Sequence, residues 1–351
     1  MAAQAIPVSL IPGDGIGPEI VAATIEVLDV LGAPFQWHRC VAGLAGIEAC
    51  GDPLPDATLE SIRATRLALK GPLTTPSGGG YRSSNVRLRE AFKLYANVRP
   101  VRTILSDGRY RDVDLVVIRE NLEGLYTGLE HYIPIGEDPH AVALGVGVNT
   151  REGMRRVLTY AFDYALQHRR RKVTLIHKAN ILKALTGIVL EAAQQLYAER
   201  YAGKIEFDQV IVDACAMKLV LDPTQFDVLV TTNLFGDIIS DLCAGLVGGL
   251  GLTPGANIGH DAAIFEAVHG SAPDIAGRGI ANPTALLLAA ALMLEHVGRA
   301  ELAERLRAAI HATLNEDRVR TPDLGGTAST QSYTRALVDR LQPGSTIGIV
   351  A

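Results

Sequence analysis

The chain has 351 residues, 48% of them hydrophobic and 20% charged, with a net charge of −5. That length fits two domains or one large one, and the balance is that of a globular protein, not a disordered one. The acidic charge leaves no basic footprint for nucleic acid, and the greasiest run, 285–294, falls far short of the roughly 20 residues that span a bilayer.

Residues 1–6 lack a cationic start and a long apolar core, so no signal peptide is expected. A strand is predicted over 7–11, then the turn Pro12-Gly13-Asp14-Gly15-Ile16-Gly17 and a helix over 19–31. Strand, glycine turn and helix suggest a nucleotide fold. The spacing is G-x-G-x-G, however, and no strand-end acid follows about 20 residues on, so a standard Rossmann fold is not expected. Further strands are predicted over 67–69, 115–118, 173–176, 210–212 and 228–231. Helices are predicted over 87–94, 152–167, 181–201, 238–246, 285–297 and 300–314. The alternation argues for α/β layers around parallel strands. The basic run 169–172 reads as a helix C-terminus rather than a nucleic-acid patch. Segment 126–148, punctuated by Gly128, Pro134, Gly136, Pro139, Gly145 and Gly147, breaks the rhythm. It reads as a β-arm of the kind that serves symmetric oligomers. Cys40, Cys50, Cys215 and Cys243 show no C-x-x-C pairing and read as reduced packing thiols, which suggests a cytoplasmic protein. The tail 342–351 carries no usable signal.

Several stretches carry chemistry. The run from Lys70 to Arg89 is a strand end followed by a glycine-rich loop dense in hydroxyls and arginines. Arg89, Arg99 and Arg119 each flank apolar segments, where a guanidinium is costly unless it meets an anion. They suit either a small polycarboxylate or structural salt bridges. Lys178, in His177-Lys178-Ala179-Asn180, follows a strand and is expected just before a helix N-terminus, which would make it a readier proton donor, or else a plain surface lysine. Asp213 closes the predicted strand 210–212, as a metal ligand or a helix N-cap. In Asn233-Leu234-Phe235-Gly236-Asp237-Ile238-Ile239-Ser240-Asp241, two aspartates stand four apart, on one face of a helix. Their repulsion calls for compensation, and a hard divalent cation would supply it; the alternative is a solvated helix start.

Taken together, the run from Leu73 to Arg89, Arg119-Glu120-Asn121-Leu122-Glu123-Gly124-Leu125-Tyr126, His177 to Asn180, Asn233 to Asp241 and Glu266-Ala267-Val268-His269-Gly270-Ser271-Ala272-Pro273-Asp274-Ile275 recur in one family. The chain resembles the isocitrate and isopropylmalate dehydrogenases, over nearly its whole length. The resemblance implies a two-domain α/β fold with a large mixed sheet, and not a standard Rossmann fold. It implies a discontinuous large domain, 1–97 with 249–351, and a small domain, 98–248, bearing a dimerisation arm at 126–148.

Ser83 and Asn85 match the family's isocitrate-type pair, since a polar pair cannot build an apolar isopropyl pocket. Isocitrate is thus the implied substrate, bound by Ser83, Asn85, Arg89, Arg99 and Arg119. NAD is implied over NADP because Asp274 and Ile275 replace a lysine and a tyrosine, and Asp274 would repel a 2′-phosphate. Thr74, Asn85, Asn180, His269, Gly270, Ala272 and Asn282 complete the implied cofactor set. Mg²⁺ or Mn²⁺ is implied on Asp237 and Asp241, with Asp213 from a second copy in a homodimer. Tyr126 and Lys178 are the implied acid and base for oxidation to the keto acid followed by loss of CO2. No nucleic acid or membrane partner is expected. Two other readings stand beside this one. A homoisocitrate dehydrogenase would need room beyond Ser83, gated by Tyr81 and Val86. A non-catalytic regulatory subunit would typically lack some of Tyr126, Lys178, Asp213, Asp237 and Asp241, all of which are present.

Overall fold

Short runs rich in β-branched and other apolar residues, such as 115–118 and 228–230, form the interior strands of this protein. The computed structural model describes residues 5–76 and 80–342. The first four residues, three positions of the glycine-rich loop (77–79) and the tail 343–351 lie outside the described residues. In chain order the strands are β1 Ile6–Ile11, β2 Phe35–Arg39, β3 Leu67–Lys70, β4 Ala96–Arg102, β5 Asp114–Glu120, β6 Gly124–Ile135, β7 Asp138–Val148, β8 Lys172–His177, β9 Glu206–Ile211, β10 Val228–Thr231, β11 Pro254–Ile258 and β12 Ala263–Ala267.

The chain divides into two compact units. The first takes Met1–Phe92, Thr103–Arg111 and Ala244–Ala351. Its strand order is β2-β1-β3-β12-β11, parallel except for the antiparallel pair β11 and β12. Every residue of β3 is buried, as an interior parallel strand requires. The greasy run at 285–294 becomes the helix Thr284–His296, buried almost all round. The second unit takes Lys93–Arg102 and Asp112–Cys243. Its order is β4-β5-β10-β8-β9, with only β4 and β5 antiparallel. β6 and β7 form a separate antiparallel hairpin, which leaves Leu129, Tyr132, Ile133, Ile135, Leu144 and Val146 exposed. This is the mixed α/β architecture expected, and the two units share it.

Three local expectations shift. The helix expected from 181 begins at Gly187 and ends in the π-helical turn Tyr197–Tyr201. Residues 178–186 form turns instead, closed by bonds from the Ile181 and Leu182 amides to the Lys178 carbonyl. Lys178 therefore has no helix N-terminus immediately beside it. The β-branched triplet at 210–212 hid a helix, Val212–Leu221, whose buried Cys215 and Leu219 keep helical spacing. Asp213 thus stands in a first helical turn and not at the end of a strand. Third, the aspartate-bearing helix starts earlier than its apolar pattern suggests, at Asn233.

The glycine turn after β1 explains why the dinucleotide spacing fails. It packs backbone on backbone. A Cβ on Gly15, at φ 57°, would stand 1.9 Å from the Ser271 carbonyl oxygen, and one on Gly71 would stand 2.0 Å from that of Pro12. Ile16 donates its amide to the same Ser271 carbonyl at 2.9 Å. Asp14, nearly fully buried, accepts from the amides of Leu44 at 2.8 Å and Thr74 at 2.7 Å. One turn therefore fixes both loops that lead out of β3 and β12. Gly15→Ala should cost about 2 kcal/mol or more of stability, because the new methyl group meets backbone that cannot yield. Chemical denaturation would read this as a lowered midpoint; a midpoint equal to wild type would refute the close approach.

Candidate active site

β5 ends on Arg119 and Glu120 inside the second unit, and Arg119 is only 1% exposed. A guanidinium so buried needs an acceptor for each donating edge. Its Nε and Nη2 both donate to Asn233 Oδ1, at 3.0 and 2.7 Å, and Nη1 donates to Asp237. The helix Asn233–Leu246 can come this close because residue 236 is glycine; a Cβ there would sit 2.5 Å from Arg119 Cγ. Asp237 also accepts from the Tyr126 hydroxyl. On β4, buried Arg99 donates to Asn97 Oδ1 at 2.9 Å and Ser240 Oγ at 2.5 Å, and its Nη1 lies 3.5 Å from both Asp237 and Asp241. The two carboxylates are thus one helical turn apart, and two arginines compensate them.

The protonation balance follows. Burial raises the Asp241 carboxyl, Arg99 opposes, and the Asp237 charge raises it again, leaving it above the usual range. Burial and the bond to Asp237 also raise the Tyr126 phenol, against the Arg119 guanidinium, whose Cζ lies 5.0 Å from the ring centroid. Tyr126 therefore keeps its proton at neutral pH.

A second cluster of the same unit joins Lys178, just after β8, to Asp213. The Lys178 bond holds the Asp213 carboxyl below its usual range. His177, kept low by burial, accepts the Ala179 amide on Nδ1 at 3.0 Å and so shapes this turn. Asn180 stands exposed after it. Among the described residues, no three His, Cys, Asp or Glu side chains gather as a metal site would. Asp237 and Asp241 are brought together in one chain, and Asp213 is not brought to them.

The remaining predicted residues lie in the first unit. Thr74 Oγ1 donates to Ser271 Oγ at 2.8 Å, which ties the loop after β3 to the loop after β12. Ser83 precedes the helix Ser84–Ala91 and accepts from Thr75 Oγ1 at 3.1 Å. Two of their buried atoms have no hydrogen-bond partner among the described residues: Asn85 Oδ1 and His269 Nε2. His269 Nδ1 faces the Gly270 carbonyl at 3.0 Å, and burial holds the ring's pKa down. The ring is then neutral with its proton on Nδ1, and Nε2 is left as a bare acceptor. Ala272 adopts a left-handed φ of 40°, Asp274 is exposed in the following turn and Ile275 is half-buried. Asn282 has both ends of its amide engaged, donating to Asp323 Oδ2 at 2.9 Å and accepting the Thr284 amide at 3.0 Å. Its side chain therefore serves a helix start.

Lys70 and Glu266, at the ends of β3 and β12, carry a constraint not singled out in the sequence. Their charges meet at 2.7 Å, both buried, and Asn257 Nδ2 donates to Glu266 Oε1 at 2.6 Å. Burial alone would raise the Glu266 carboxyl; Lys70, then Arg89, more than reverse that, to about 2.

Residues 7–341 match the model of the isocitrate/isopropylmalate dehydrogenase family. The chain belongs to that family. It is 48% identical over 338 residues, 96% of this chain and 88% of the relative, to isocitrate dehydrogenase [NAD] catalytic subunit 5, mitochondrial, of Arabidopsis thaliana. It is 46% identical over 336 residues, 95% and 91% of the two chains, to a mitochondrial isocitrate dehydrogenase [NAD] regulatory subunit of Dictyostelium discoideum. The crystal structure of isocitrate dehydrogenase from Methylococcus capsulatus matches with a TM-score of 0.92 at 55% identity, covering 96% of this chain and 99% of that one. The expectation of a cytoplasmic protein is corrected by these relatives: the curated ones carry mitochondrial names and point to that organelle instead. Unpaired cysteines report reducing surroundings and do not say which compartment provides them.

The Lys70–Glu266 pair has a pH signature in this family member. The Glu266 carboxyl is depressed in the folded chain, so its contribution is present above the usual 4.5 and is lost as pH falls toward about 2. Glu266→Gln, less stable throughout because it leaves Lys70 unpaired, should lose stability less steeply between those values. Parallel curves in denaturant titrations would show that the pair does not titrate there.

Proposed function

We propose that this chain is an NAD-dependent isocitrate dehydrogenase subunit of the catalytic kind. The observation that carries the reading is the joined cluster of Arg119, Tyr126, Asp237, Arg99 and Asp241. Identity alone does not separate catalytic from regulatory subunits, since relatives named as each are similarly close. Intact acid, base and metal-type carboxylates favour the catalytic one.

In this reading Arg99 and Arg119 bind carboxylates of isocitrate, with Arg89 and Ser83 as further contacts. Tyr126, its proton held by burial, is the acid, and Lys178 the base. The donor set of Asp237 and Asp241 fits a hard cation: two carboxylates a turn apart, both partly exposed, with Asp213 of a second copy as third ligand. When bound, Mg²⁺ or Mn²⁺ would polarise the substrate hydroxyl and stabilise the negative charge left by CO2 loss. NAD would supply the hydride acceptor. The orphaned acceptors suit it. Asn85 Oδ1 fits a carboxamide N–H and His269 Nε2 a ribose hydroxyl, while exposed Asp274 disfavours a 2′-phosphate. Thr74, Asn180, Gly270, Ala272, Ile275 and Asn282 complete that cofactor set. Asn282's amide already bonds Asp323 and the Thr284 amide, so its part in holding adenine is shared with a structural one. The exposed apolar side chains of the β6–β7 hairpin support a homodimer.

The purified chain alone should oxidise isocitrate with NAD and Mg²⁺, lose activity in EDTA and regain it with Mn²⁺. It should prefer NAD in kcat/KM, and Asp274→Lys with Ile275→Tyr should narrow that preference. Activity that appears only with a second, different subunit and survives Tyr126→Phe in this chain would make it a regulatory chain, and faster turnover of homoisocitrate would reassign the substrate.

In this reading Lys178, like Asp213, serves the site of the second copy, and that sharing has its own test. Lys178→Met and Tyr126→Phe chains, each inactive, are mixed under subunit exchange. Hybrids hold one intact site, so up to roughly a quarter of wild-type activity should return at equal mixing. No recovery after exchange shown by a mass tag would place both residues in one chain's site.

A further inference from the structure

Arg119 points at Asp237 because something else holds the other side of its guanidinium. That something is Asn233, which has no solvent exposure. Its Oδ1 takes two of the arginine's N–H groups, at 3.0 and 2.7 Å. Its Nδ2 donates to the Glu123 carbonyl at 3.0 Å, which fixes the orientation of the amide, because a flipped amide would set N–H against guanidinium. The Glu123 carbonyl is itself held in place. The fully buried Glu120 carboxylate accepts the Leu122 and Glu123 amides, both at 2.8 Å, and the Glu123 carboxylate accepts the Thr150 amide at 2.7 Å and hydroxyl at 2.6 Å. The chain of contacts runs from a rigid turn, through one amide, to one guanidinium.

We infer that Asn233 is a positioning residue that aims Arg119 at the substrate without neutralising its charge. A carboxylate at 233 would bind Arg119 as firmly but would neutralise it, and an aliphatic side chain would release it. A neutral acceptor does what neither can. The inference rests on the isocitrate reading given above and adds a residue to its substrate machinery.

The test is a double-mutant cycle with steady-state kinetics. Asn233→Ala should raise the KM for isocitrate on the order of tenfold or more, the usual scale for a lost charge-assisted bond, with the KM for NAD unchanged. Isosteric Asn233→Asp should raise it similarly, and it serves if the alanine variant does not fold. In an Arg119→Lys background either change should cost less than about twofold further, since the effect passes through Arg119. Multiplying costs, or an equal rise in the KM for NAD, would overturn the inference. A wild type that does not oxidise isocitrate would sink the functional reading separately. The positioning role would then be read from a crystal structure of Asn233→Ala, in which the Arg119 guanidinium should have turned away from Asp237; an unmoved guanidinium refutes the role.

Discussion

A buried guanidinium that needs protein acceptors, with Nε and Nη2 given to Asn233 and Nη1 to Asp237, is the constraint on which the second unit depends. Arg119 cannot be solvated, so the chain has to bring acceptors to it. That requirement places Asn233 at the start of its helix, puts glycine at 236 and turns Asp237 toward β5. Tyr126 then follows, since its hydroxyl reaches the same carboxylate from the base of the hairpin. The geometry of the cluster is in this sense a by-product of satisfying one arginine.

The first unit solves a different problem with backbone. Asp14 and the glycines around it set two loops against one another largely through backbone, with the Thr74–Ser271 hydroxyl bond as a side-chain tie between them. Of the residues proposed for a cofactor in this unit, Thr74 and Asn282 also hold the scaffold.

Much of this was legible in the sequence, and the exceptions have physical causes. Several strands and helices announced themselves by pattern, as in Asp114–Glu120 and Arg151–Gln167, while the helices Leu44–Cys50, Asp56–Thr65 and Thr330–Leu341 escaped notice. The strands β2, β4, β11 and β12 escaped notice: short segments, two of them containing proline or starting on it, look like loops to any periodicity argument. Val212–Leu221 was hidden because three β-branched residues straddle a strand end and a helix start. At the site, the arginines and aspartates were found by type and spacing. Their pairing was not, because which acceptor a buried arginine takes is decided by tertiary distance. Asn233 illustrates this: it was visible in a motif, but its role appears only when β5 and the helix are adjacent.

The charge count of the cluster couples the affinities of any cation and anion that meet there. Arg99 and Arg119 against Asp237 and Asp241 sum to zero formal charge. A lone cation is drawn by two carboxylates and repelled by two guanidiniums, and a lone anion meets the reverse. When both are present, each relieves the repulsion met by the other, so their affinities rise together and by the same factor. A cluster balanced in this way favours a chelated pair over either ion alone, whatever the affinity of its separate groups.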